Sequence, residues 1–400
     1  MISPNSTYRE DWRSTMKNNN VITGSGVRRL PLNLQLFADG DPIELTLEEA
    51  LTGEDLLVYS RSLEFNNEYL HPLLFPPEET DELTVDIIRN SGSTLPVMAQ
   101  IAELGTEVEY GSREGLTGDR VTIPKIQRGR YMDEKLVRMA LQASQSYGLR
   151  DAERNKLRTE QLNDADYAVN AIRARREWIA MTAIWQGEVH YAEGNVKVDV
   201  TWNYTSDQKP VLSGTDKWDD IENSTPLNDI QLWVDQWRAK GIILSRAMTS
   251  TKIITLLRRN LSIRQHYHGN PSGNAQPPQL TRAQLQSVFD EMEFPTIVAY
   301  DTQARTEDRA LTNGKLSFTT VRMMPENRFV LLPDGPLGNY LWAKTTEEMM
   351  AEIDAVQTGD MGIYVFRDWT KNPIRLRTAG VALSFPAFAW ADSVVSATVI

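Results

Sequence analysis

Four histidines are the residues of this chain most suited to metal binding or proton transfer. They are His71, His190, His266 and His268, and no His-Glu-x-x-His motif joins any two of them. His266 and His268 would share one face of an extended segment and could chelate a metal weakly. No carboxylate cluster adjoins this pair, so two solvent-exposed histidines in a loop are the simpler interpretation.

Carboxylates could support acid–base catalysis, and they cluster at two places in the sequence. The clusters are Glu107, Glu109 and Glu114, and Asp219, Asp220 and Glu222. Two carboxyl groups about 5 Å apart would suit a retaining glycosidase, but spacing in sequence does not establish that separation. Because the chain has 54 acidic residues among 400, such clusters are expected by chance.

Motifs of nucleotide-binding and nucleophilic enzymes are absent from the sequence. It contains no Gly-x-x-x-x-Gly-Lys-Ser/Thr loop and no Gly-x-Ser-x-Gly elbow. The absence of cysteine excludes disulfides, cysteine-ligated metals and cysteine catalysis. We therefore predict no enzymatic activity, no cofactor and no metal site, and a carboxylate-dependent hydrolase is the less favoured alternative.

Charge is distributed unevenly along the chain. With 42 basic and 54 acidic residues the net charge is −12, which argues against a dedicated nucleic-acid reader. Residues 39–86 contain 14 acidic residues and one basic residue, whereas residues 120–180 contain 13 basic and 8 acidic residues. The two segments are either complementary between copies of the chain or two solvated surfaces that never meet.

No membrane or targeting segment is predicted. Residues 1–20 are charged and lack the apolar core of a secretory signal. The uncharged and mainly apolar stretch at residues 378–391 is shorter than the roughly 20 residues that span a membrane. We expect no membrane partner and synthesis in the cytoplasm.

The order of elements predicts an α+β chain. Its 400 residues exceed the roughly 250–300 that one core supports, so two or more lobes are expected. The longest predicted helix spans residues 162–186, begins at Asn163 or Asp164 and ends at Gly187. Its apolar face consists of Leu162, Ala165, Val169, Ile172, Ile179 and Ala183, and it would display Arg173, Arg175 and Arg176.

Further signals predict elements in the second half of the chain. Thr225 and Pro226 begin a helix that ends at Gly241 and places Trp233 and Trp237 in the core. The remaining predictions are a buried strand at 242–244, a helix at 251–261, a loop at 266–278, a capping box at Thr281–Gln284, and a hairpin turn at Asn313–Gly314.

Two segments look unable to fold without a neighbour. Residues 104–135 carry glycines and six basic residues and resemble a long two-stranded excursion, which is marginally stable alone. Leu32, Leu34 and Leu36 alternate with period two and precede Phe37, as in a strand with no local partner.

Several short sequence segments, by their order and spacing, resemble the major capsid proteins of tailed phages. Residues 32–38 (Leu-Asn-Leu-Gln-Leu-Phe-Ala) are similar to a phrase near the start of such proteins. Four further segments resemble the lambda-type major capsid protein E family. They are Leu74-Phe75-Pro76, Val97 to Glu114, Ile123-Pro124-Lys125-Ile126, and Met324 to Gly338. The resemblance covers the chain from about residue 30 to its end.

The resemblance implies the tailed-phage (Hong Kong 97-like) capsid fold. The implied parts are an N-terminal arm (1–88), a first peripheral strand (89–103), an extended loop (104–135), a peripheral domain with the spine helix (136–221), an axial domain (222–365), and C-terminal peripheral strands (366–400).

The implied function is structural. The subunit would assemble into pentamers and hexamers of an icosahedral shell around double-stranded DNA, which it binds without sequence specificity. A scaffold protein or domain, a portal and a decoration protein would be further partners, and the virion the final location. Intersubunit contacts are expected at Arg113, Arg120, Lys125, Arg128, Arg130, Leu34, Leu36, Phe37, Asp81 and Glu82. A protein-cargo nanocompartment (encapsulin-like) shell is the main alternative, and a tail or portal component is another.

Overall fold

A computed structural model describes most of the second half of the chain and parts of the first. The described residues are 69–89, 117–132, 134, 138, 151–193, 196–269, 276–312, 315–350, 361–371 and 374–400. They divide into two compact units. The first unit contains residues 125–173 and 343–384, and the second contains residues 68–124, 174–342 and 385–400.

Seven helices and fifteen strands lie within the described residues. The helices are α1 His71–Leu74, α2 Asp151–Gln186, α3 Pro226–Ala239, α4 Thr251–Arg259, α5 Leu261–His268, α6 Arg282–Glu291 and α7 Thr346–Met349. The strands are β1 Pro77–Glu79, β2 Thr84–Arg89, β3 Thr117–Thr122, β4 Lys125–Met132, β5 Glu188–Glu193, β6 Val196–Thr201, β7 Leu244–Thr249, β8 Thr296–Ala299, β9 Gln303–Thr312, β10 Lys315–Arg322, β11 Arg328–Pro333, β12 Asn339–Ala343, β13 Tyr364–Lys371, β14 Ile374–Ala387 and β15 Val395–Thr398.

The first unit is an antiparallel sheet covered by the amino-terminal part of α2. Strand β14 pairs with β13 on one side and with β4 on the other. Its core is formed by Ala165, Val169, Ile172, Ile363, Val365 and Ala382, with Ile126 and Leu162 packed against it. Gly380 allows α2 to approach closely, because a Cβ there would lie 3.1 Å from the side chain of Ile172.

The second unit contains a four-stranded mixed sheet in the order β15-β11-β7-β8. Strand β7 is antiparallel to β11 and parallel to β8, and helices α4, α5 and α6 form the connection between β7 and β8. The core includes Trp218, Trp233, Trp237, Phe289 and Phe329. The predicted core positions of Trp233 and Trp237 and the Thr281–Gln284 capping box are confirmed.

Three two-stranded ribbons also belong to the second unit. Within the described residues, β2 pairs only with β3, β5 with β6 and β9 with β10. The turn predicted at Asn313–Gly314 lies outside the described residues, but β9 and β10 on either side of it pair as an antiparallel hairpin. Two-stranded ribbons are marginally stable in isolation, so packing against a neighbouring segment would stabilise each of the three.

Helix α2 ends where predicted but begins at Asp151, so Asn163 and Asp164 lie within it and do not cap it. The expected start was late because residues 151–161 favour helix without an apolar stripe. Gly187, with φ of +68°, ends the helix. Arg173 and Arg176 are buried rather than displayed, because the carboxyl-terminal half of α2 is covered on nearly all sides.

Two other expectations differ from the structure. Strand β7 begins at Leu244, and Ile243 is 75% exposed although it was predicted in a buried strand. His266 and His268 lie in the last turn of α5 rather than in a loop. Side chains two positions apart on a helix point in different directions, so this pair does not form a chelating face.

The region of the predicted extended loop is divided between two partners. Its described strands do not pair with each other: β3 pairs with β2, and β4 pairs with β14. Strand β15 pairs with β11 in the second unit rather than with the strands of the first. Among the described helices, none combines the length and apolar character needed to cross a lipid bilayer.

Candidate assembly surfaces

Six of the ten predicted intersubunit residues are described by the structure. Arg113, Leu34, Leu36 and Phe37 lie outside the described residues. Asp81 and Glu82 are exposed beside the start of β2. The four remaining residues, Arg120, Lys125, Arg128 and Arg130, all have partners within the same chain.

Arg120 on β3 binds Asp86 on the paired strand β2. Its Nε and Nη2 donate to the two carboxylate oxygens of Asp86 at 2.8 and 3.1 Å. This hydrogen bonding lowers the pKa of Asp86 and raises that of Arg120, to which the charge of Glu82 also contributes. The acidic and basic segments of the sequence therefore meet within one chain at this point.

Lys125 at the start of β4 donates to Glu347 on α7. The hydrogen bond from Lys125 lowers the pKa of Glu347, and burial opposes this effect only in part. Both side chains are partly exposed, at 40% and 31%. The pair ties the first residue of β4 to a short helix in the same unit.

Arg128 and Arg130 pack on one aromatic ring of α2. The Nε of Arg128 donates to the Tyr167 hydroxyl at 2.8 Å, and the guanidinium of Arg130 lies 3.6 Å from the centre of the Tyr167 ring. The Oδ1 of Asp164 lies 3.9 Å from the Nη1 of Arg130. Stacking on an aromatic face orients a guanidinium while leaving its edge able to bind another group.

The structure extends the basic set beyond the predicted residues. Strand pairing places β14 between β4 and β13. These three strands together contain seven basic residues and one acidic residue. The basic residues are Lys125, Arg128, Arg130, Arg367, Lys371, Arg375 and Arg377. We call this three-stranded sheet, with its net charge of +6, the basic sheet.

Sequence reasoning missed four of these residues because they lie about 240 positions from β4. Arg377 binds Asp368 through two hydrogen bonds of 2.8 and 2.5 Å. The guanidinium of Arg375 lies 5.3 Å from the ring centre of Tyr131, which is 56% exposed. The sequence does show repeated basic residues in the segments that form β13 and β14. Only the register of the paired strands aligns these residues with β4.

The acidic clusters do not form a recognisable active site in the described residues. Hydrogen bonds from Asn223 lower the pKa of Asp220, which is opposite to the shift needed by a catalytic acid. Burial raises the pKa of Asp229, whose carboxylate accepts a hydrogen bond from the Trp218 indole at 2.9 Å beside the core. The cluster at Glu107 lies outside the described residues, which contain no group of three or more metal-ligating side chains.

Comparisons with known proteins identify one family and one fold. A model of the family described as phage major capsid protein E matches residues 53–399. The chain is similar to a solved structure assigned as a prophage capsid protein of Escherichia coli CFT073, with 16% identity, a TM-score of 0.54, and coverage of 88% of this chain and 99% of that chain. It is also similar to a phage-related protein from Bordetella bronchiseptica RB50, with 14% identity, a TM-score of 0.51, and coverage of 86% and 95%. A search of curated proteins found no match.

Proposed function

Because the chain belongs to the phage major capsid protein E family and is a subunit of a phage capsid shell, we propose that its copies form pentamers and hexamers that close around double-stranded DNA. The observation that carries this function is the family match over residues 53–399 in a chain with the tailed-phage (Hong Kong 97-like) capsid fold. The same fold also occurs in shells that enclose protein, so the contents of the particle are part of the proposal.

The domain assignment made from sequence is part of this proposal. Residues 1–88 form the arm, 104–135 the extended loop and 222–365 the axial domain, with peripheral segments at 89–103, 136–221 and 366–400. The long α2 helix and strand β14, which share one core, support the peripheral assignment, and β4 of the extended-loop segment pairs with β14. Strands β7, β8 and β11 and the helices between residues 226 and 291 support a separate axial domain, whose sheet β15 of the C-terminal segment joins.

The basic loop residues and the acidic arm form the proposed contact between neighbouring subunits. Arg113, Arg120, Lys125, Arg128 and Arg130 bind acidic groups of an adjacent copy, including Asp81 and Glu82. The apolar strand Leu34, Leu36 and Phe37 completes the contact. The net charges of the basic sheet and of residues 39–86 support this pairing, since opposite surface charges favour docking of like subunits in one register.

Charge reversal tests this contact. Arg128→Glu with Arg130→Glu should reduce the yield of closed shells at least tenfold, because the new carboxylates repel the acidic partner. The matched control, Arg259→Glu with Arg282→Glu, changes the same net charge at two exposed residues of the second unit. Control shells should form normally, and wild-type yield from the Arg128 and Arg130 variant would exclude this contact.

Further partners follow from the proposed assembly. A scaffold protein or domain guides closure in the host cytoplasm, a portal occupies one vertex, and a decoration protein reinforces the shell. The acidic subunit suits a container for DNA, because a strongly basic inner surface would bind phosphates by releasing counterions and would hinder ejection.

Electron microscopy tests the function directly. The full chain, expressed with its neighbouring phage genes, is separated by gradient sedimentation and examined in negative stain. Closed shells tens of nanometres across that contain nucleic acid are expected. Shells containing only protein would favour a nanocompartment, and small discrete particles alone would refute shell formation.

A further inference from the structure

A buried carboxylate lies in the carboxyl-terminal half of α2, outside all the surfaces described above. Glu177 has no solvent exposure, and both of its oxygens accept hydrogen bonds. Oε1 accepts from the backbone N–H of Leu70 at 3.0 Å and from the Tyr300 hydroxyl. Oε2 accepts from the backbone N–H of His71 at 2.9 Å and lies 2.7 Å from His71 Nδ1.

These partners come from three distant parts of the second unit. Leu70 and His71 precede β1, Glu177 belongs to α2, and Tyr300 follows β8. His71 is fully buried and Tyr300 nearly so, and burial together with the Glu177 charge raises the pKa of the Tyr300 hydroxyl. The carboxylate therefore joins the first described residues of the chain to a strand of the mixed sheet.

Residues 69–80, which we call the arm root, are fixed at several further points. The backbone N–H groups of Leu337 and Tyr340 donate to the carbonyls of Leu74 and Pro76 at 2.7 and 2.8 Å. Strand β1 then pairs in parallel with β12. These contacts hold the carboxyl-terminal side of the arm root, whereas Glu177 holds its amino-terminal end.

Tyr300 connects the same carboxylate to the β9–β10 ribbon. The next residue, Asp301, accepts hydrogen bonds from the N–H and hydroxyl of Thr251 and from Arg322, the last residue of β10. The position of the ribbon base is thereby coupled to the arm root through adjacent residues of one loop.

Burying a carboxylate is costly, and a well-packed apolar group of the same size is often as stable. The advantage of such a buried carboxylate is structural specificity, because its hydrogen bonds are satisfied in only one arrangement of the surrounding segments. We propose that Glu177 is a positioning residue for shell assembly, which fixes the start of the arm root relative to the β9–β10 ribbon so that every subunit presents its arm from the same point. The proposal rests on the shell function proposed above.

Three single variants of the full chain test this role. Glu177→Gln replaces one acceptor oxygen by an amide donor that faces an N–H group. Tyr300→Phe removes one hydrogen bond and leaves the carboxylate in place. Tyr204→Phe is the matched control, because it removes a hydroxyl that donates to another residue of α2, the Ile184 carbonyl at 3.0 Å, and not to Glu177.

Hydrogen exchange and shell geometry are the two measurements. The amides of Leu70 and His71 should exchange at least tenfold faster in Glu177→Gln and severalfold faster in Tyr300→Phe, but at the wild-type rate in Tyr204→Phe. Shells of the first two variants should show a broadened distribution of diameters at temperatures where their subunits remain folded. If Glu177→Gln does not fold, Tyr300→Phe still provides both measurements.

Wild-type exchange at both amides, or shells of uniform wild-type diameter from both variants, would overturn the proposal. Broadened diameters in Tyr204→Phe as well would also overturn it, since the effect would then follow general destabilisation. Failure of the wild-type chain to form shells would instead refute the shell function, so the two failures are distinguishable.

Discussion

The Lys125–Glu347 ion pair has a small effect on the stability of one subunit despite its close geometry. Both side chains retain contact with solvent, and exposed ion pairs are worth about 0.2–1 kcal/mol. The interest of the pair lies in its location at the first residue of β4. It ties the basic sheet to α7. Its contribution to the stability of the subunit should depend on whether the carboxylate of Glu347 is ionised.

The pair predicts a specific pH dependence. Because Lys125 lowers the pKa of Glu347 from its ordinary value near 4.5, the stabilisation is present above that value and is lost as pH falls through the lower folded pKa. A double-mutant cycle of Lys125→Ala and Glu347→Gln should give a coupling below about 1 kcal/mol at pH 7. Urea unfolding of unassembled subunits should show this coupling weaken as the pH is lowered below the ordinary glutamate pKa near 4.5, and a coupling that does not change with acidification would contradict the assignment.

Single residues also show where sequence reasoning is effective and where it stops. Trp233 and Trp237 are predictable as core residues because neighbours on one helix supply their apolar face. Glu177 was not singled out, since a glutamate close to three arginines in a helix is typical of a solvated surface. Its partners lie 106, 107 and 123 positions away, and no local pattern contains that information.

At the scale of elements, the end of α2 depends on a glycine that no other residue can replace easily. Gly187 has a φ of +68°, and its carbonyl accepts a hydrogen bond from Trp202 at 2.8 Å. A Cβ at this position would overlap the ring of Tyr204, with three ring atoms within 2.7 Å. That ring is held in place, because its hydroxyl donates to the Ile184 carbonyl at 3.0 Å.

Replacing Gly187 by alanine should therefore cost more than backbone strain alone. The left-handed conformation costs about 1–2 kcal/mol, and forced overpacking adds about 1–3 kcal/mol. Gly214→Ala is the matched control, because Gly214 has a φ of +60° and a methyl group at its Cβ position would meet nothing within 4 Å. Chemical denaturation of both variants checks the difference, and equal destabilisation would show that Tyr204 yields.

Helices were predicted better than strand partners for a physical reason. The hydrogen bonds of a helix join residues four apart, so α6 follows from its local capping box and α3 from its apolar spacing and Pro226 in its first turn. A strand is completed by a partner whose position local sequence does not encode. Strand β4 was therefore expected in a two-stranded excursion, whereas it pairs with β14.

At the scale of the whole molecule, opposite charges are concentrated in different parts of the sequence. Residues 39–86 carry a net charge of −13, and the basic sheet carries +6. Asp86 is neutralised by Arg120 in the same chain. Opposite charges on one subunit attract other copies at low ionic strength, so assembly should slow as salt rises.

Deletion of residues 1–38 tests whether the amino terminus serves assembly rather than subunit folding. The core residues named above all follow residue 120, and the family match begins at residue 53. The deletion should reduce the yield of closed shells or alter their diameter, while the subunit melting temperature changes by less than about 2 °C, since about 1 kcal/mol shifts it by a few degrees in proteins of this size. A chain with residues 1–38 scrambled is the control for length and composition. If the scrambled chain assembles normally, the specific strand at Leu34, Leu36 and Phe37 is unnecessary, and a large drop in melting temperature on deletion would place these residues inside the fold of the subunit.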